Sequence, residues 1–135
     1  MQILETVLTL PDSLGIPRIN MPQVDEEHVQ EFMKYLDDQN ISYGGFKVPV
    51  YKLKATQKEI NEEKILALLN TPDKIHTKPV IISSDYYILD GHHRAIAQLN
   101  LNREGKLICI KVHQSIKTLL KTVINFPKAK YKKVS

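Results

Sequence analysis

Apolar positions along this chain recur with two periods, and the changes of period mark out its elements. Val29, Phe32, Met33 and Leu36 lie three and four apart, which predicts a helix over 25–38 whose apolar stripe serves core packing. Asp25 is its expected N-cap, with Glu26 and Glu27 in the first turn, and Asp37-Asp38-Gln39-Asn40 ends it. Gly44-Gly45 reads as a flexible turn. Residues 46–54, with Val48, Val50 and Leu53 apolar, predict a strand in which Pro49 marks an edge or a bulge. Asn61 caps a predicted helix over 61–69, with Ile65, Leu66, Leu68 and Leu69 as its buried side. After a loop over 71–78, where His76 reads as a surface histidine, Val80 to Ile82 is a buried strand. Ser83-Ser84-Asp85 is turn chemistry, and Tyr86 to Leu89 is a second strand run, so the two predict a hairpin. Ile96 and Leu99 then set a helical period over 92–101. Leu107 to Val112 is an apolar interior strand, and 115–126 is a final helix with Ile116, Leu119, Leu120, Val123 and Ile124 toward the core. The expected fold is a single small α/β (α+β) domain: a compact mixed sheet of 46–54, 79–83, 86–90 and 107–112 with helices packed on it.

The first 24 residues lack periodicity, and Pro11, Gly15, Pro17 and Pro22 break any long element. Ile16 to Val24 reads as extended chain, with Gly15 to Pro22 either a lid over a site or a surface strap. The expected organisation is one domain over 1–127, with an N-terminal extension 1–45 carrying one helix, a core over 46–126, and a lysine-rich tail 128–135. A hydrophobic share of 42% and a charged share of 25% over 135 residues suit a soluble globular chain with a single core. No apolar run approaches the roughly 18 residues of a membrane span, and the start lacks the pattern of a signal peptide, so the expected compartment is the cytoplasm. The lone Cys109, within Leu107-Ile108-Cys109-Ile110, is expected to be a buried thiol. The net charge of +4 resides in the tail: without Lys128, Lys130, Lys132 and Lys133, the body is neutral. Such a tail reads as solvated disorder, with weak nucleic-acid contact as the alternative.

Between the second strand of the hairpin and the following helix stands Asp90-Gly91-His92-His93-Arg94, placed on that helix's first turn. A helix N-terminus carries unpaired N–H groups and attracts anions. Arg94 can fork onto phosphate oxygens, His92 and His93 can donate hydrogen bonds or act as acid or base, and Asp90 can hold Mg²⁺ that bridges to phosphate. The plain alternative is that Asp90 caps the helix and the histidines are solvated. No zinc pattern, phosphate-binding glycine loop or Ser-His-Asp order is present.

Asp90-Gly91-His92-His93-Arg94-Ala95 resembles the signature of the ParB/sulfiredoxin superfamily, and the resemblance spans roughly residues 48–125. ParB members carry Gly-Glu-Arg-Arg at this place and sulfiredoxins Gly-Cys-His-Arg. Free-serine kinases and small phage proteins of the ParB-like nuclease type carry the Asp-Gly-His-His-Arg form found here. The resemblance implies a ParB/sulfiredoxin-like domain, with the Met21-Pro22-Gln23 stretch belonging to it, and a host cytoplasm if the chain is phage-encoded. It also implies a catalytic base in the loop before the 61–69 helix: Glu59 by position and spacing, or Glu62, against exposed loop carboxylates with no task. A sulfiredoxin reaction requires a cysteine where this chain has His92, and the chain ends before the helix-turn-helix domain of a partition protein would fit, so neither activity is expected.

Two functions follow as expectations. In the first, Glu59, Asp90 and His92 are catalytic, Gly91, His93 and Arg94 bind phosphate, and Asp90 holds Mg²⁺. ATP or another nucleotide, or a nucleic acid, is then the partner of a phosphoryl transfer, hydrolysis or nuclease reaction. In the second, the same cradle binds a nucleotide or nucleic acid without catalysis. Whether Glu59 projects into the cleft of Asp90 distinguishes them. No membrane partner is expected.

Overall fold

The computed structural model describes residues 8–10, 13–17, 20–24, 26–57 and 60–131. Its strands are β1 (Pro22–Gln23), β2 (Tyr43–Pro49), β3 (Val80–Ile82), β4 (Ile88–Asp90), β5 (Lys106–Val112) and β6 (Lys130–Tyr131). Its helices are α1 (Val29–Asp38), α2 (Glu62–Asn70), α3 (His92–Leu101) and α4 (Ile116–Ile124). Four strands form a mixed sheet in the order β2-β5-β3-β4: β2 is antiparallel to β5, β5 parallel to β3, and β3 antiparallel to β4. The mixed α/β architecture read from the sequence is the one observed.

Strand alternation divides the interior into two cores. Leu107 and Cys109 of β5 join Val80, Ile82 and Ile88 on one face, under Ile65 of α2 and Ala95, Ile96 and Ala97 of α3. Val112, Ile81 and Leu89 point to the other face, against Phe32 and Leu36 of α1 and Ile116, Leu119 and Val123 of α4. The sheet is therefore a middle layer between two helix pairs, which explains why β3 and β5 carry near-continuous apolar runs. The caps expected at Asn61 and present at Ser115 are made: their side-chain oxygens accept from the N–H of Lys64 and of Thr118. Asp25 lies outside the described residues.

The structure corrects several details. Gly44-Gly45 is strand rather than turn, and the predicted strand over 46–54 stops at Pro49, where Val50–Lys52 takes a short 3₁₀ turn. The loop over 71–78 contains a further 3₁₀ turn, Pro72–His76. In β2 the N–H and C=O groups of even-numbered residues point to β5, as the bonds His113 N–H to Ser42 O and Val50 N–H to Gly105 O show in one continuous register. Odd-numbered residues point outward, so Pro49 lacks an N–H where no ladder partner exists; Pro49 marks a sheet edge, as expected. Leu66 and Ile124 are exposed (41% and 55%), since nine-residue helices bury only a narrow stripe. The expected disorder of the tail fails at Lys130–Tyr131, whose backbone pairs antiparallel with Pro22–Gln23 of the N-terminal extension. In the hairpin, the second strand starts at Ile88, because Tyr86 adopts φ 69° to complete the turn.

Candidate functional site

The Asp-Gly-His-His-Arg segment is a strand-to-helix corner. Asp90 is the last residue of β4, and Gly91 is the N-cap of α3 in the left-handed region at φ 106°. A Cβ on Gly91 would lie 3.0 Å from both Arg94 Nη2 and Val80 Cγ2, so glycine is required by conformation and by space. Asp90 therefore does not sit in the helix's first turn, and no side chain caps α3.

The motif residues diverge from this corner. His92 turns inward and is buried, and its Nε2 accepts the Thr56 N–H at 3.1 Å. Thr56 Oγ1 donates to Ile88 O at 2.6 Å and lies 3.1 Å from the same Nε2. With Nε2 as acceptor, the neutral ring carries its proton on Nδ1. His92 thus ties the 53–57 segment to the start of α3. His93 is half-buried, and its Nε2 accepts the Asn61 N–H at 2.9 Å, which docks the beginning of α2 against α3. Arg94 Nη1 donates to Lys78 O at 2.6 Å and Pro79 O at 3.3 Å, and its Nη2 lies 3.8 Å from Asp90 Oδ2. The first function of the basic motif residues is to hold three segments around one corner.

These segments enclose a cleft of about 520 Å³. Asp90, Gly91, His92, His93 and Arg94 all line it, joined by Lys64 of α2 and by Thr77, Lys78 and Pro79. Its opposite character comes from Val24, Val29, Met33 and Ile110, with the amides of Gln23, Gln30 and Gln57. Val29 and Met33 of the α1 stripe, expected to be core only, are cleft wall. Gln23 and Val24 wall the cleft; of the 15–22 stretch read as lid or strap, no described residue lines it, though Ile16 bridges in parallel to the lining residue Gln57. A second hollow of about 500 Å³ adjoins the first between α2, the 72–76 turn and α3. It shares Lys64, Thr77, Lys78, His93 and Arg94, and adds Lys74 with an apolar floor of Ala67 and Leu68.

One group in the cleft is anomalous. Gln23 is 5% exposed, yet its Nε2 has no hydrogen-bond partner among the described residues. Burying an amide donor without a partner costs about 1–3 kcal/mol, so such groups are rare in folded chains unless something else satisfies them.

The corner brings together Asp90, Gly91, His92, His93 and Arg94. Glu59 lies outside the described residues, and Glu62 is an exposed first-turn residue of α2. Among the described residues, no cluster of three His, Cys, Asp or Glu side chains forms a metal cage. A single carboxylate suits only Mg²⁺ that arrives with phosphate oxygens and keeps its waters. The residues that sequence reasoning missed are Gln23, Gln57, Lys64 and Lys78. Nothing in local periodicity marks a glutamine as unsatisfied, and the lysines converge only because α2 and the 77–79 segment both pack beside α3. Comparison with family models, curated proteins and solved structures finds no match to this chain. No helix among the described residues is long and apolar enough to cross a membrane.

Proposed function

We propose that this chain is a ParB/sulfiredoxin-like domain that binds a phosphate-bearing ligand, a nucleotide or the end of a nucleic acid, in the cleft at the start of α3. The observation that carries the reading is the buried Nε2 of Gln23, which has no partner among the described residues, on a residue that lines the cleft together with Lys64, Lys78 and Arg94. A buried donor left unsatisfied in a residue of the cavity wall calls for an acceptor that a ligand could bring, and the cations with the uncapped helix N-terminus favour an anionic one. The amide and apolar end of the cleft suits the uncharged part of the same molecule. Mg²⁺ would be held by Asp90 together with the ligand's phosphates, where it would neutralise their charge.

Mg²⁺-dependent hydrolysis or phosphoryl transfer is the catalytic form of this reading and is favoured by Asp90 in the cleft wall. A binding-only domain is favoured by the structural bonds of His92 Nε2, His93 Nε2 and Arg94 Nη1. Calorimetric titration of a nucleotide panel with Mg²⁺ and with EDTA, followed by product analysis, separates them. Binding is expected in both conditions and tighter with Mg²⁺. Gln23→Leu is the discriminating variant: it keeps the volume and removes the orphan donor. It is expected to leave stability equal or higher while weakening binding about ten-fold. Unaltered affinity in that variant, or no binding of any nucleotide or oligonucleotide, would overturn the reading.

A further inference from the structure

The outer edge of β2 is an open and self-complementary strand. β2 runs seven residues at the margin of the sheet, and Gly45, Phe46 and Lys47 at its middle are exposed. Its odd-numbered residues aim their backbone groups outward, and among the described residues these groups make no hydrogen bond. Sheet edges of this length are ordinarily shortened, bulged or covered, because an open edge is a template for another strand. We infer that this edge pairs with the same edge of a second copy of the chain, giving an antiparallel dimer with one continuous sheet.

The register follows from the residues. Centring the pair on Phe46 sets Phe46 opposite Phe46, Lys47 opposite Gly45, Val48 opposite Gly44 and Pro49 opposite Tyr43. All seven residues are then paired: Lys47 and Val48 each meet a glycine, Pro49 meets Tyr43, and Phe46 meets its own copy. The Gly45 and Lys47 positions exchange both backbone bonds, and the Tyr43 N–H reaches the Pro49 carbonyl, so the missing proline N–H falls at the end of the ladder. Centring on Lys47 instead would oppose two ammonium groups, and centring on Gly45 would leave Val48 and Pro49 out of the seven-residue match. The Phe46 ring leans over Gly44, where a Cβ would lie 3.1 Å from Cε2, and so comes beside the second copy's Val48.

Charge agrees with that register. Tyr43 donates its hydroxyl to Asp37 at 3.2 Å, which puts an acidic helix end, Asp37-Asp38, beside the first residue of β2. Lys47 and Lys106, the latter paired with Pro49, stand at the other end of the strand. The two-fold brings the lysines of each copy to the aspartates of the other. The two Tyr43–Asp37 contacts fall at opposite ends of the paired strands, about 20 Å apart at 3.4 Å per residue.

Analytical ultracentrifugation of the full chain, from micromolar to hundreds of micromolar, tests the inference. A species of twice the 15.5 kDa chain mass is expected to grow with concentration and to weaken with added salt. Lys47→Pro deletes an outward N–H together with the Lys47 ammonium group and leaves β2 its ladder to β5; it is expected to weaken the dimer at least about ten-fold. Phe46→Glu is the second variant. In the monomer the new carboxylate faces Lys111, whose Nζ lies 4.8 Å from the Phe46 ring, while in the dimer it faces its own copy. It is expected to leave the circular dichroism spectrum unchanged and abolish the dimer. A chain that stays monomeric throughout, or a dimer indifferent to both variants, would overturn the inference.

Discussion

Replacing Gly91 by alanine tests the corner on which the site depends. Two costs add. At φ 106° an L-residue is held outside its comfortable left-handed well, worth about 1–3 kcal/mol. The new methyl would also lie 3.0 Å from Val80 Cγ2 and 3.2 Å from Val80 Cγ1, and Val80 is fully buried in the α2/α3 core. Overpacking of that kind costs roughly 1–3 kcal/mol. Arg94 Nη2, also 3.0 Å away, cannot simply swing aside, because its other nitrogen is committed to Lys78 O at 2.6 Å. The sum, about 2–6 kcal/mol, is a large part of the 5–15 kcal/mol that holds an ordinary domain together. Urea unfolding of G91A followed by circular dichroism should show a midpoint lower by roughly 1–3 M. Gly45→Ala is the control: it lies in a strand, has no positive φ, and its Cβ would meet no atom within 4 Å. It should leave the midpoint unchanged or raise it slightly, measured at a concentration where the chain is monomeric. A G91A protein whose midpoint stays within about 0.3 M of the parent would refute the claim that the corner admits only glycine.

Arg94→Ala should lower stability by roughly 2–4 kcal/mol in urea titration, because two backbone carbonyls lose a charged donor, and this loss should appear before any ligand is added. A purely ligand-binding Arg94 would instead leave the ligand-free midpoint unchanged. Thr56→Val should cost about 1–3 kcal/mol, since the buried Ile88 carbonyl loses its 2.6 Å partner, whereas Thr56→Ser should recover most of it; equal losses would show that the methyl group matters and the hydroxyl does not. Burial pushes the Cys109 thiol up to about 11 from 9.0, with the Arg94 charge opposing it. The folded state holds this proton longer than the unfolded state, so the stability it contributes is intact below pH 9 and is lost as pH rises from about 9 toward 11. Cys109→Ala should flatten that decline in a series of urea titrations, and a slope unchanged by the substitution would assign it to other groups.

The elements were legible in the sequence because each announces itself locally. A three-four spacing with a cap such as Asn61, a β-branched run such as Val80 to Ile82, and an Asp-Gly between strand and helix periods are signals that neighbours in the chain generate by themselves. Pro49 limited its strand to an edge or a bulge, since only an outward N–H can be dispensed with, and the sheet order makes it an edge. The position of the candidate site at the β4–α3 corner was equally readable, because an unusual run of polar groups falls where the backbone must turn. What the individual groups do there was not readable. His92 and His93 are adjacent in sequence, but successive residues on a helix point about 100° apart, so one enters the core toward Thr56 and the other reaches the start of α2. Arg94 looked like a phosphate ligand, yet the packing of the 77–79 segment beside α3 presents it with two carbonyls first. The unsatisfied amide of Gln23, the convergence of Lys64 and Lys78, and the pairing of Lys130–Tyr131 with Pro22–Gln23 join residues far apart in the chain. Those relations arise from the way two helix layers close over one sheet, and no local pattern encodes them.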